Sequence, residues 1–214
     1  MKNIGKLAIL GAVLAASASF ASASIITLDS SASTVKLTAV PSGSGIPLGN
    51  AVNLTTGLSP WIGPIGASTW VGPEAGTTPG GNVVAPAGTY VYTSTFTDST
   101  PLWSIGSISV LADDTTTIFF NGAQLNTLTN TSAGAHCTVG TPNCTVISTY
   151  LLPTADFSLT GTDTLTFDVQ QLYGSATGLD FEATIATPEP NSLILLGTGL
   201  LGAGGMLMRR RQTV

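Results

Sequence analysis

The 214-residue chain holds six basic and eleven acidic residues, for a formal net charge of −5. Five of the six bases (Lys2, Lys6, Arg209, Arg210 and Arg211) lie near the ends, so residues 24–187 carry only Lys36 against ten acids, a net charge of −9. Such a stretch has no clustered Lys and Arg to neutralise phosphates, which argues against nucleic acid and anionic lipid as partners. The first element in chain order is an export signal. Lys2 and Lys6 precede an apolar run over residues 7–16, and Ala21-Ser22-Ala23 supplies an A-x-A cleavage site. Residues 1–23 therefore read as a signal peptide, with the Sec machinery as a partner and Ser24 as the first mature residue.

The body, residues 24–186, is of ordinary size for one domain with its own core. It is rich in Thr, Ser, Gly and Val, and β-branched residues favour strands. "SIITLDS" and "STVKLTAV" alternate apolar and polar side chains and predict two strands. A Gly/Pro-rich stretch over residues 57–88 carries Trp61 and Trp70 and is long enough to wrap across the domain. "GTYVYTSTF" and "SIGSISVLA" predict two more strands, the second preceded by Trp103. "DDTTTIFFNGAQLNTL" predicts a hairpin whose Asn121-Gly122 turn is of type I′. Cys137 and Cys144 bracket the turn-forming Gly140, Pro142 and Asn143. In an exported chain a disulfide is the leading reading, and a metal site beside His136 is the alternative. "DTLTFDVQQ" and "GLDFEATI" close the set. Eight to ten short strands with no helix before Asn191 imply an all-β, antiparallel β-sandwich or jelly roll.

The tail has three parts. Pro188-Glu189-Pro190 favours extended backbone, because proline restricts the residue before it. Residues 191–208 are free of charge and, as a helix of ~27 Å, just span a hydrocarbon core. Arg209, Arg210 and Arg211 then stay cytoplasmic. From hydropathy alone this is a permanent anchor or a sorting label that is later removed. With all three parts in order, residues 187–214 resemble a PEP-CTERM sorting domain. That resemblance implies recognition by an exosortase, a membrane-embedded cysteine peptidase-transpeptidase of Gram-negative bacteria that commonly make exopolysaccharide and biofilm. It further implies transient anchoring in the inner membrane, then release to the cell surface or beyond. The G-x-G-x-x-G at Gly197 to Gly202 lacks the preceding strand and following acid of a dinucleotide site and reads as helix packing.

The body also resembles galactose-binding-like jelly rolls. The shared cadence is Asp113-Asp114, Asn121-Gly122, then "GTDTLTFDV" from Gly161 and "GLDF" from Gly178, with Asp163 where that family usually has Asn. The resemblance implies a recognition or structural role. Trp61, Trp70 and Trp103 read first as packing in the core or under a loop, and are also the candidate sugar-binding platforms if they are exposed. Asp113 and Asp114 read first as opening the turn before "TTTIFF", and are weak candidates for calcium as the alternative; no cofactor is called for. Nucleophilic catalysis would need a histidine, and the single one, His136, abuts the cysteines. No carboxylate pair stands out for glycoside hydrolysis. The expected function is therefore a non-enzymatic surface or matrix protein in contact with exopolysaccharide, with a lectin-like module or a polysaccharide hydrolase or lyase as alternatives.

Overall fold

Alternation of buried and solvent-facing residues governs two of the three longest strands, Gly88–Thr97 and Thr162–Gln171. In the strand Thr162–Gln171, Asp163, Leu165, Phe167, Val169 and Gln171 point inward and every intervening residue points out. A computed structural model describes residues 24–55, 59–98, 104–128, 137, 140–159, 161–187, 197–199 and 202. Among these, twelve strands form two sheets. They are β1 (Ser24–Asp29), β2 (Lys36–Ala39), β3 (Gly49–Asn50), β4 (Val52–Asn53), β5 (Val71–Gly72), β6 (Gly88–Thr97), β7 (Ile105–Asp113), β8 (Thr115–Phe120), β9 (Ala123–Gln124), β10 (Ser148–Leu152), β11 (Thr162–Gln171) and β12 (Gly178–Thr187). One 3-10 turn, Thr154–Asp156, lies between β10 and β11.

The chain divides into two units, residues 25–186 and the two ends. In the body, one sheet runs β10-β7-β12-β5-β4, with β1 also paired to β12, and the other runs β3-β2-β6-β11-β8-β9. From β6 onward the chain crosses between sheets at almost every step. The orders β1-β12-β7-β10 and β6-β11-β8-β9 are those of a jelly roll, with β2 and β3 added at one edge and β4 and β5 inserted beside β12. The expected β-sandwich is thus the observed fold.

The sheets bury one shared core. Tyr92, Ile118 and Phe167 from one sheet meet Ile108, Val110, Phe181 and Ile185 from the other. Phe167 stacks on Phe181 with ring centroids 4.6 Å apart, an arrangement worth about 0.5–1.5 kcal/mol beyond area burial. The β8–β9 hairpin has the predicted turn. Phe120 pairs with Ala123, and Asn121 and Gly122 both hold positive φ (48° and 84°), as a type I′ turn requires.

Candidate functional site

A second apolar cluster lies outside the shared core: Leu54, Trp61, Ile65, Trp70, Leu111, Cys144 and Ala176. Its centre is the pair Trp61 and Trp70, stacked with centroids 4.2 Å apart and planes 16° apart. Each indole N–H is used internally. That of Trp61 donates to Asp113 Oδ2 at 2.6 Å, and that of Trp70 to the Ile62 carbonyl at 3.2 Å. The pair sits over the start of β12, where Gly178 is needed. A Cβ there would lie 2.7 Å from the Trp61 ring and 3.2 Å from Trp70. Neither indole is therefore a solvent-facing platform for sugar: Trp61 is 5% exposed and Trp70 fully buried. For Trp61 and Trp70 the core-packing reading holds and the sugar-platform reading does not. Burying two indoles against Leu54 and Leu111 outweighs leaving them in water, and their N–H groups find partners without a ligand. Trp103 and His136 lie outside the described residues.

Asp113 and Asp114 stand where the chain leaves β7 in one sheet for β8 in the other. Both are buried. The Cys137 N–H is shared between Asp113 Oδ1 and Asp114 Oδ1, each at 3.1 Å, and the Leu172 N–H donates to Asp114 Oδ2 at 2.8 Å. Burial pushes the Asp113 carboxyl up to about 7, against the opposing pull of the Trp61 and Cys137 donors; the neighbouring Asp114 pushes it further up. Asp113 also lies within metal-ligand reach of Cys137 and Cys144. Those sulfurs are bonded to each other, and the carboxylate oxygens face N–H donors. A cation needs lone pairs directed at it, so this arrangement fits neither calcium nor a thiolate-bound metal. The pair instead joins the Trp61 loop, the disulfide loop and the β11–β12 connection to the point where β7 leaves its sheet.

The same device recurs. Asp180 accepts from Ser30 Oγ at 2.9 Å, Ser68 Oγ at 2.5 Å and the Ile65 N–H at 2.9 Å. Asp163 accepts from Asn121 Nδ2 at 2.6 Å and the Ser158 N–H at 2.7 Å, tying the hairpin turn to β11. Asp98 accepts from Ser104. Five acids (Asp98, Asp113, Asp114, Asp163 and Asp180) are at most 1% exposed. The negative charge is thus less a surface property than the sequence suggested. Half of the body's carboxylates hold loops to the sheets.

Cys137 and Cys144 form the expected disulfide, with Cα atoms 5.4 Å apart. Cys144 is fully buried against the indole cluster. Replacing both cysteines by serine is expected to lower stability by about 2–4 kcal/mol, from a freed loop in the unfolded chain and a polar group left in an apolar site. Urea unfolding of the oxidised protein and the double variant measures this; equal midpoints would refute it.

The last strand leads into the tail: β12 ends at Thr187. Residues 186–211 match the PEP-CTERM protein-sorting motif. The PEP-CTERM span takes in Pro188, Glu189, Pro190, the apolar run 191–208 and Arg209, Arg210 and Arg211. Of these, only Gly197, Thr198, Gly199 and Gly202 lie among the described residues, and all four are helical. Among the described residues no helix is long and apolar enough to cross a membrane. The PEP-CTERM motif marks this as an exported protein processed at the membrane, with an exosortase as the processing partner. No curated protein matches the chain.

Proposed function

We propose that the body is a non-catalytic structural protein of the cell surface or extracellular matrix, held in contact with exopolysaccharide. The observation that carries the reading is the PEP-CTERM match at residues 186–211, at the end of a self-contained β-sandwich. In this reading the Sec pathway delivers the chain and the signal peptide is cut after Ala23. Residues 191–208 halt in the inner membrane, and Arg209, Arg210 and Arg211 hold the tail on the cytoplasmic side. The exosortase then cleaves near Pro188-Glu189-Pro190 and passes the body outward. The inward-facing, hydrogen-bonded carboxylates support a structural role over a hydrolase, because a general acid or base must reach substrate. The buried Trp61 and Trp70 weigh against a lectin built on those two rings.

Intact-mass analysis of the protein recovered from the cell surface tests the route. The expected species begins at Ser24 and lacks Arg209, Arg210 and Arg211. Replacing these three arginines by alanine is expected to leave the chain unprocessed and reduce the surface form at least tenfold. A surface species that still carries the arginines would overturn the cleavage.

A further inference from the structure

The outward positions of β6 and β11 are dominated by one residue type. On β6, Thr93, Thr95 and Thr97 face out; on β11, Thr162, Thr164 and Thr166 do the same. The antiparallel register sets them directly opposite one another, as Thr97–Thr162, Thr95–Thr164 and Thr93–Thr166. The result is a double row of hydroxyl and methyl groups, with a repeat of ~6.8 Å along the strands and ~4.8 Å across them. The flanking strands continue the face. Phe119 of β8 lies opposite Thr166, half-buried with its ring on the outer side, and Lys36 of β2 lies opposite Thr93. Among the described residues of β2, β6, β8 and β11, the outward charges are Lys36 and Asp168, which cancel.

We infer that this threonine face is the polysaccharide contact, and that its partner is an uncharged glycan chain lying along the β6–β11 double row. The inference rests on the matrix reading above and assigns it a surface. Charge selects the class of glycan. The face offers no cluster of cations for uronate or sulfate groups, so it holds nothing that would draw an acidic polymer. The side chains select a saccharide. Each threonine presents a donor-acceptor hydroxyl beside a methyl group, matching the alternation of hydroxyls and C–H faces along a sugar chain, and Phe119 adds an apolar ring at the row's margin. Sheet twist selects a chain over a rigid lattice. Neighbouring strands rotate by roughly 20–25°, so a planar crystal surface such as ice would meet only part of the face, whereas a flexible polymer follows it.

The test uses full-length protein, expressed in exporting cells and recovered as the processed surface form. It is run through native gels containing dextran, hydroxyethyl cellulose, or the neutral or acidic fraction of the cells' own polysaccharide. The expected result is retardation in at least one neutral gel and none in the acidic one. Binding should weaken at least about fivefold in T95V/T164V and in T93V/T166V, each of which removes two hydroxyls. Valine keeps the β-branched shape, so melting temperatures should stay close to wild type. Unchanged retardation in both double variants overturns the assignment of the face, while recovery of the protein in the matrix fraction leaves the matrix role standing. Wild-type protein that no neutral glycan retards also overturns it, the more so if the same face inhibits ice growth or pairs two copies in sedimentation. Absence from both matrix and cell surface overturns the matrix reading itself.

Discussion

Trp70→Ala is expected to destabilise the body by about 3–5 kcal/mol, the cost of emptying a fully buried aromatic site. Trp70 is the inner half of the indole stack, and its backbone carbonyl accepts the Leu54 N–H at 2.8 Å beside the β4–β5 pairing. Truncation removes the face against which Trp61 rests and opens a void between Leu54, Leu111 and the buried Cys144. For a body of this size the melting temperature should drop by roughly 10 °C. Glycan retardation per folded molecule should be unchanged, because the ring touches no solvent. Thermal melts and the native gels read the two quantities separately. A variant with wild-type stability and lost glycan binding would make the stack a ligand platform after all.

The parts of this molecule that could be read from the sequence are those with a period. β6 and β11 alternate over most of their ten residues and β7, β8 and β12 over part of their lengths, and each is expected where it stands. Asn-Gly between apolar runs specified the hairpin turn because few other pairs accept positive φ twice. β10 was not expected. Tyr150 and Leu152 sit on one face, but Leu151 lies on the other and is 77% exposed, so this edge strand shows no clean alternation. The two-residue strands β3, β4 and β5 are too short to carry a period, whereas β9, equally short, is expected as the return strand of the Asn121-Gly122 hairpin. The tail was legible because its signal is linear: a motif, an apolar run and a charge cluster follow one another in the chain. The indole cluster was not, because it is assembled from residues 54 to 176. A tryptophan in a Gly-rich loop looks the same in sequence whether the loop holds it out to solvent or folds it back. What could have suggested burial was the number of carboxylates in a chain with one lysine in its body, since acids without cations must find N–H and O–H donors when they are enclosed.

Those enclosed acids should make the protein more stable in mild acid than at neutral pH. Every carboxylate with a clear shift moves upward: Asp113, Asp180, Asp168 and Asp29, each chiefly through burial. Asp113 dominates, because it alone is displaced to about 7. Its folded value lies above that of an unfolded aspartate, near ~3.9, so between these values the folded state holds a proton that the unfolded chain has released. The stabilisation is fully present below pH ~4 and is lost as pH rises through about 7. Of the roughly three units separating these values about two lie between pH 5 and pH 8, which corresponds to roughly 3 kcal/mol and places the melting temperature at pH 5 about 5–10 °C above that at pH 8. Asp113 hydrogen-bonds to Asp114, a contact that favours its protonated form, while Trp61 donates to its Oδ2. Asparagine approximates that neutral state: its carbonyl can accept from Trp61 and its amide can donate to Asp114, leaving the Cys137 N–H to Asp114 Oδ1 alone. D113N should therefore melt at nearly the same temperature at pH 5 and pH 8, and at pH 8 should exceed wild type. Trp61→Phe should do the opposite. It removes the N–H that favours the ionised form, so the loss of stability with rising pH persists to higher pH. Equal pH slopes in wild type and D113N would show that the buried pair is not the titrating element.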